Sequence, residues 1–210
     1  MEILLFDLDN TLYSAERELF PLIDERINRF MNEVAGIPLS EVDSLRRSYW
    51  QRYGVTMQGL MQHHGIDPEE YLAFVHDIDV SSRLQPDPAL RAALSAVPLR
   101  KAVFTNSSRA HSERVLNVLG IAGQFEKIFD IRVANYLPKP SPEPYHAVLE
   151  LIGLPATACI MVEDSPDNLR TAKDLGMGTI LVGSLPGTPH VDVCIPSAGE
   201  ISAALTHWNE

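Results

Sequence analysis

Positive charge is scarce in this sequence: 17 Lys and Arg stand against 28 Asp and Glu, a formal net charge of −11. Broad binding of DNA, RNA or an anionic membrane needs the opposite balance. No nucleic-acid polymer and no membrane is therefore expected as a partner, and an anionic substrate must meet a local positive site. Cysteine is scarce too. Cys159 and Cys194 make neither a disulfide framework nor a zinc site, and both lie in apolar runs, so both are expected as buried free thiols. No apolar run approaches the ~18 residues that cross a bilayer. Met1 leads straight into Ile3-Leu4-Leu5-Phe6 without a basic segment, and a cytoplasmic location is expected. Phosphate-binding glycine signatures are missing: Gly176-Met177-Gly178 completes no dinucleotide fingerprint, and there is no Walker loop. His63-His64 lacks partners at metal spacing, and these two, with His76, His111 and His190, are expected to face solvent.

What is present is a rhythm of short apolar runs, each ending in polar residues and followed by a helical pattern. The runs are Glu2 to Phe6, Lys101 to Phe104, Cys159 to Val162 and Thr179 to Val182. Between them, His111 to Leu119 ends at Gly120 and Tyr145 to Ile152 ends at Gly153, a glycine just past each helix. The fold class is α/β, a doubly wound parallel sheet. From the first run to the second is far more chain than one crossover helix needs. The intervening segment carries Leu19, Leu22, Ile23, Ile27, Phe30, Met31 and Val34 at helical spacing and holds no convincing strand. It predicts an inserted all-helical cap over residues 15–83, with the core in residues 1–14 and 84–210. Pro86 and Pro88 mark the return to that core.

Ligands of open parallel sheets bind beyond the carboxyl ends of the strands. The polar residues closing the runs form one coherent set there: Asp7-Leu8-Asp9-Asn10-Thr11, Thr105-Asn106, Lys139 between two prolines, and Glu163-Asp164-Ser165. Four carboxylates on one rim cannot all stay ionised without a counter-charge. A hard divalent cation supplies it, and few carboxylates with carbonyl and water ligands favour Mg2+, which leaves positions for a substrate phosphate. Alternate residues of an extended chain point the same way, so Asp7 and Asp9 can flank one reacting centre. One can attack phosphorus while the other moves protons. Lys139, the Thr105 hydroxyl and backbone N–H groups would neutralise the transferring charge.

Taken singly, an Asp after a strand is usually a helix cap or a turn former. Ser165-Pro166-Asp167 reads as such a structural start, and Asn168 as either helix surface or support for a neighbouring group. Together, the strand ends supply a nucleophile, an acid, metal ligands, a hydroxyl and a lysine, a set not expected by accident.

These residues resemble the haloacid dehalogenase-like hydrolase superfamily, whose four motifs match Asp7-Leu8-Asp9-Asn10-Thr11, Val103-Phe104-Thr105-Asn106, Lys139 and Val162-Glu163-Asp164-Ser165. The resemblance implies that Asp7 is the nucleophile and Asp9 the general acid/base. It implies that Asp7, the Asp9 carbonyl and Asp164 bind magnesium with Glu163 close by, and that Thr105 and Lys139 hold the phosphoryl group. Leu8 and Asn106 are expected at the substrate, and the insertion is expected to be a cap that closes over it. A narrower likeness to the pyrimidine 5'-nucleotidase branch rests on Phe6 to Tyr13, on Tyr49 with Tyr53-Gly54, and on Phe74-Val75-His76-Asp77. The expected partner is a small phosphorylated metabolite: a pyrimidine nucleotide, phosphoglycolate or a sugar phosphate. A phosphomutase would share the motifs. Receiver modules also combine an acidic cluster, Thr and Lys, but their acceptor Asp does not ordinarily stand in Asp-x-Asp and they carry no cap. Dehalogenases usually lack the second Asp, so Asp9 points to phosphate chemistry.

Overall fold

A computed structural model describes residues 1–183 and 188–208. Strand β1 (Ile3–Phe6) is followed by four helices: α1 (Phe20–Glu33), α2 (Leu39–Tyr53), α3 (Thr56–His64) and α4 (Pro68–Val75). Then come α5 (Pro88–Ala96), β2 (Arg100–Phe104), α6 (Arg109–Leu119), β3 (Lys127–Phe129) and α7 (Pro142–Ile152). The chain ends with β4 (Cys159–Glu163), α8 (Pro166–Asp174), β5 (Gly178–Val182), β6 (Val193–Ile195) and the short α9 (Ile201–Ala204). The six described strands are all parallel, in the order β3-β2-β1-β4-β5-β6.

The central strands are mainly apolar because both faces of the sheet are covered. In β1, Leu4 and Phe6 pack with Val103, Ile160, Leu94 and Val115 on one face. Ile3 and Leu5 pack with Phe104, Met161, Tyr145 and Leu169 on the other. Such strands read as unbroken hydrophobic runs, which is why β1, β2, β4 and β5, with β6 from the run around Cys194, are legible without coordinates. Strand β3 is not: it has three residues at a sheet edge, and Lys127 is exposed. Edge position also corrects one expectation. Cys159 is buried in β4, but Cys194 in the edge strand β6 is exposed, its thiol directed to the Gly183 carbonyl.

Helices α1 to α4 have a core of their own, in which Ile23, Phe30, Met31, Tyr49, Leu60 and Leu72 are buried. The sheet-side cluster already includes Leu19 and Val80, so buried members of the helical cluster in this segment run from Ile23 to Val75. Helices α2 and α3 cross closely at Gly59, where a Cβ would sit 2.1 Å from the Tyr49 ring; only glycine admits that approach. Most of Tyr49 is thereby spent on packing.

The sheet order has its switch at β1, with β2 on one side and β4 on the other. Phe6 is in register with Val103 and Val162, so the loops leaving the three strands emerge level. The crevice above a switch point is where open α/β sheets place ligands.

Candidate active site

Asp7 is the first residue past β1, its N–H bonded to the Val162 carbonyl at 2.9 Å. Its Oδ1 lies 2.8 Å from Lys139 Nζ. The same ammonium meets Glu163 Oε2 at 2.8 Å and donates to the Phe104 carbonyl at 2.7 Å. Lys139 is 1% exposed, and these three bonds use all of its donors. Burial opposes its charge, but Asp7 and Glu163 overcome that and hold its pKa above the ordinary value. The backbone of Lys139 is gripped by Asn106, whose Oδ1 accepts from its N–H at 2.8 Å and whose Nδ2 donates to its carbonyl at 3.0 Å. The Asn106 amide, expected at the substrate, is here committed to placing Lys139.

Glu163 closes β4 and is equally committed. Oε1 accepts from the N–H groups of Asp164 and Ser165, and Oε2 from Lys139 and from Asn168 Nδ2 at 2.9 Å. Burial works against its charge, yet Lys139 and these donors hold it below its ordinary value. Asn168 therefore supports Glu163 rather than covering a helix surface, while Ser165 caps α8 as its sequence predicts, accepting from Asn168 N. Asp164 is poorly supplied, with Thr11 Oγ1 at 3.4 Å. Burial and then repulsion from Glu163 and Asp7 push its carboxyl up to about 8. Burial and Glu163 likewise outweigh Lys139 and push Asp7 up to about 7.

Asp7, Glu163 and Asp164 each bring a carboxylate oxygen within 4.8 Å of the others. One lysine cannot neutralise three clustered acids, and the two raised carboxyls record the deficit. An all-oxygen donor set with surplus negative charge fits a hard divalent cation.

Asp9 has the opposite surroundings. Tyr13 donates its hydroxyl to Oδ1 at 2.7 Å, Ser107 its hydroxyl to Oδ2 at 2.6 Å, and His111 Nε2 lies 2.9 Å from Oδ1. Burial would raise its pKa, but His111 and the hydrogen bonds hold it well below the carboxylate range. The sequence gives none of Tyr13, Ser107 and His111 a place beside Asp9. His111 and His76 are also corrections to it: both are buried, not solvent-exposed, and their rings stack at 4.6 Å. Burial, then His111, pushes His76 down to about 3, which keeps it an uncharged packing partner. His63 and His64 are exposed as expected; His190 is partly covered.

The sequence predicts Thr105 beside these groups, and there it is, accepting at Oγ1 from the Ser107 N–H at 3.0 Å. Leu8 is fully buried in the sheet-side cluster, so its side chain cannot meet a ligand. The other predicted residues line a cleft of about 1270 Å³ between the strand ends and the α1–α4 helices, whose wall there carries Arg47, Trp50, Tyr53 and Gln58.

Against known families, residues 1–176 match the haloacid dehalogenase-like hydrolases. The chain belongs to that family. Its curated relatives include Phosphate metabolism protein 8 of Saccharomyces cerevisiae, 29% identical over 86% of this chain and 61% of the yeast protein, so the chain spans under two thirds of that relative. A phosphoglycolate phosphatase of Rhodospirillum rubrum is 27% identical over 85% of this chain and 78% of its own length. Among solved structures, the L-2-haloacid dehalogenase of Xanthobacter autotrophicus covers 98% of each chain with a TM-score of 0.62 at 17% identity, a likeness of fold. A putative β-phosphoglucomutase of Thermotoga maritima, 26% identical, covers 98% of this chain and 99% of its own with a TM-score of 0.61.

Proposed function

We propose that this hydrolase removes phosphate from small phosphomonoesters through an aspartyl-phosphate on Asp7, with magnesium as cofactor. The observation that carries the reading is the rim itself: Asp7, Glu163 and Asp164 converge on one point beside a buried lysine that touches Asp7. Asp7, Asp164 and the Asp9 carbonyl would hold Mg2+, which when bound supplies positive charge to the phosphoryl oxygens.

Asp7 Oδ attacks phosphorus and the bond to the leaving oxygen breaks; Asp9, ionised in the free protein, takes up a proton from solvent as substrate binds and delivers it to that oxygen. Asp9 then takes a proton from water, whose oxygen attacks the same phosphorus and releases inorganic phosphate, returning Asp7 as a carboxylate. Lys139 stabilises charge at Asp7 in both steps, and the Thr105 hydroxyl is placed for the phosphoryl oxygens. Asp9 is what favours phosphate transfer over halide displacement, which has no leaving oxygen to protonate.

For the substrate we favour a nucleoside monophosphate, pyrimidine nucleotides first. A cleft above the ~300–1,000 Å³ usual for small ligands exceeds what a two-carbon ester needs. Trp50 and Tyr53 offer aromatic surface on its far wall. Phosphoglycolate and sugar phosphates are the second reading, supported by the names of the relatives. The test is phosphate release from nucleoside monophosphates, sugar phosphates and phosphoglycolate with magnesium. Preference for pyrimidine nucleotides supports the first reading, a phosphoglycolate preference replaces it, and phosphoryl transfer to a second sugar hydroxyl makes the enzyme a mutase. A phospho-Asp7 that persists for minutes to hours would instead indicate a receiver-like switch.

A further inference from the structure

His111 stands in the first turn of α6, 102 residues from Asp9 in sequence, on a helix start fixed by Ser108, whose Oγ accepts the His111 N–H at 3.3 Å. Its ring is 0% exposed. Nε2 lies 2.9 Å from Asp9 Oδ1, whereas Nδ1 has no hydrogen-bond partner among the described residues. A buried polar atom left unpaired is costly, and a helix position used for packing alone is better filled by leucine. The imidazole is retained at that cost for the one bond it makes.

The other two donors to Asp9 are hydroxyls, which rotate and can accept as well as donate. The His111 ring cannot swing in the same way. His76 lies against its face at 4.6 Å with 20° between the planes, and His76 is itself fixed by Nδ1 against Ser108 Oγ at 3.0 Å. His76 follows α4, the last helix of the cap segment, and Arg114 of α6 donates to its carbonyl. A ring clamped between two elements thus sets the direction of one Asp9 oxygen.

We propose that His111 is the positioning residue for Asp9, orienting its carboxyl for proton transfer to the leaving oxygen. The inference rests on the phosphatase reading above. It makes a loss of activity depend on the leaving group, which a purely structural role would not do. p-Nitrophenol departs without much help from an acid; glycerol does not.

The experiment measures kcat/KM, which reports the steps through departure of the leaving group, for p-nitrophenyl phosphate and glycerol phosphate with magnesium. His111→Leu is expected to lose about 100-fold on glycerol phosphate and less than about tenfold on p-nitrophenyl phosphate. His111→Gln, whose amide nitrogen reaches about where Nε2 stands, is expected to regain most of the glycerol phosphate loss. Equal losses on both esters, or no loss, overturn the proposal. If the wild-type enzyme hydrolyses neither ester, the His111–Asp9 link is read by nitrogen NMR of the imidazole; the phosphatase reading itself fails only if nucleoside monophosphates, sugar phosphates and phosphoglycolate also release no phosphate. Asp9→Ala is expected to move the Nε2 resonance of His111, and an unmoved resonance overturns the link. The NMR arm also decides the matter should His111→Leu fail to fold.

Discussion

Asp7 and Asp9 are two residues apart on one loop and equally buried, yet their surroundings are opposite. Around Asp7, three carboxylates share one lysine, and burial with repulsion leaves Asp7 and Asp164 with raised pKa values. Around Asp9, three donors converge on one carboxylate and hold it ionised. The first environment lacks positive charge and the second is satisfied by the protein alone. Burial acts in the same direction on both, so the number of donors and like charges decides the outcome. On the proposed mechanism, the half left incomplete is where an incoming cation and phosphoryl group would contribute, and the finished half holds in place a carboxylate that gains its proton only during the reaction.

The sharpest way to break that division is to neutralise each acid in turn. Asp7→Asn is expected to abolish turnover, by about 10⁴-fold or more in kcat, and to prevent acid-stable phosphate labelling of the protein. Retained turnover would remove the covalent step. Asp9→Asn is expected to slow kcat by about 10²–10⁴-fold with little change in KM, the range assigned to one positioned acid or base. Steady-state kinetics on a common ester separates the two, and equal, small effects would mean that the halves do not have different tasks.

Lys139 and Ser107 offer the same contrast in stability. Lys139→Met removes the one cation between Asp7 and Glu163, and stripping one partner from a buried ion pair costs about 3–5 kcal/mol. Ser107→Ala removes one of three donors to Asp9 and is expected to cost about 1–3 kcal/mol. Urea denaturation of the metal-free proteins measures both. A Ser107→Ala variant as damaged as Lys139→Met would show the Asp9 cluster to be no better satisfied than the acidic one.

The acidic half is the more legible in sequence, and for a physical reason. Asp7, Thr105 and Asp164 follow, and Glu163 closes, strands whose burial on both faces makes them mainly apolar runs, so each run points to its own closing residues. The Asp9 half is assembled from a loop tyrosine, a loop serine and a histidine inside a helix, and nothing in their spacing joins them. His111 does carry one signal. It lies four and eight residues before Val115 and Leu119, on the buried stripe of α6. A polar ring on such a stripe needs a partner, and a reading of histidines by metal spacing alone passes over that. Asn106 is read differently by the structure: its position beside Thr105 suggests the substrate, and its amide holds the backbone of Lys139, where a Cβ on Gly54 of the helical segment would lie 3.6 Å from the Lys139 carbonyl.

The smallest expected effect is a slope with pH, and its sign distinguishes the halves. A carboxyl whose pKa is raised by folding binds its proton more tightly in the native state, so the native state is favoured below that value and loses the advantage as pH climbs through it. Asp7 at about 7 and Asp164 at about 8 place this loss between pH 5 and 8. Asp9 and Glu163 are shifted downward, so their contribution is already complete above about pH 5 and adds no slope in that window. Metal-free protein should therefore become less stable from pH 5 to 8, by up to about 1.4 kcal/mol per pH unit for each proton released. Magnesium binds the ionised form, so it should flatten or reverse the slope and raise the melting temperature most at the alkaline end. Melting curves with and without the ion across that range read both effects. A metal-free protein whose stability rises with pH would place the unmet charge somewhere other than the rim of Asp7 and Asp164.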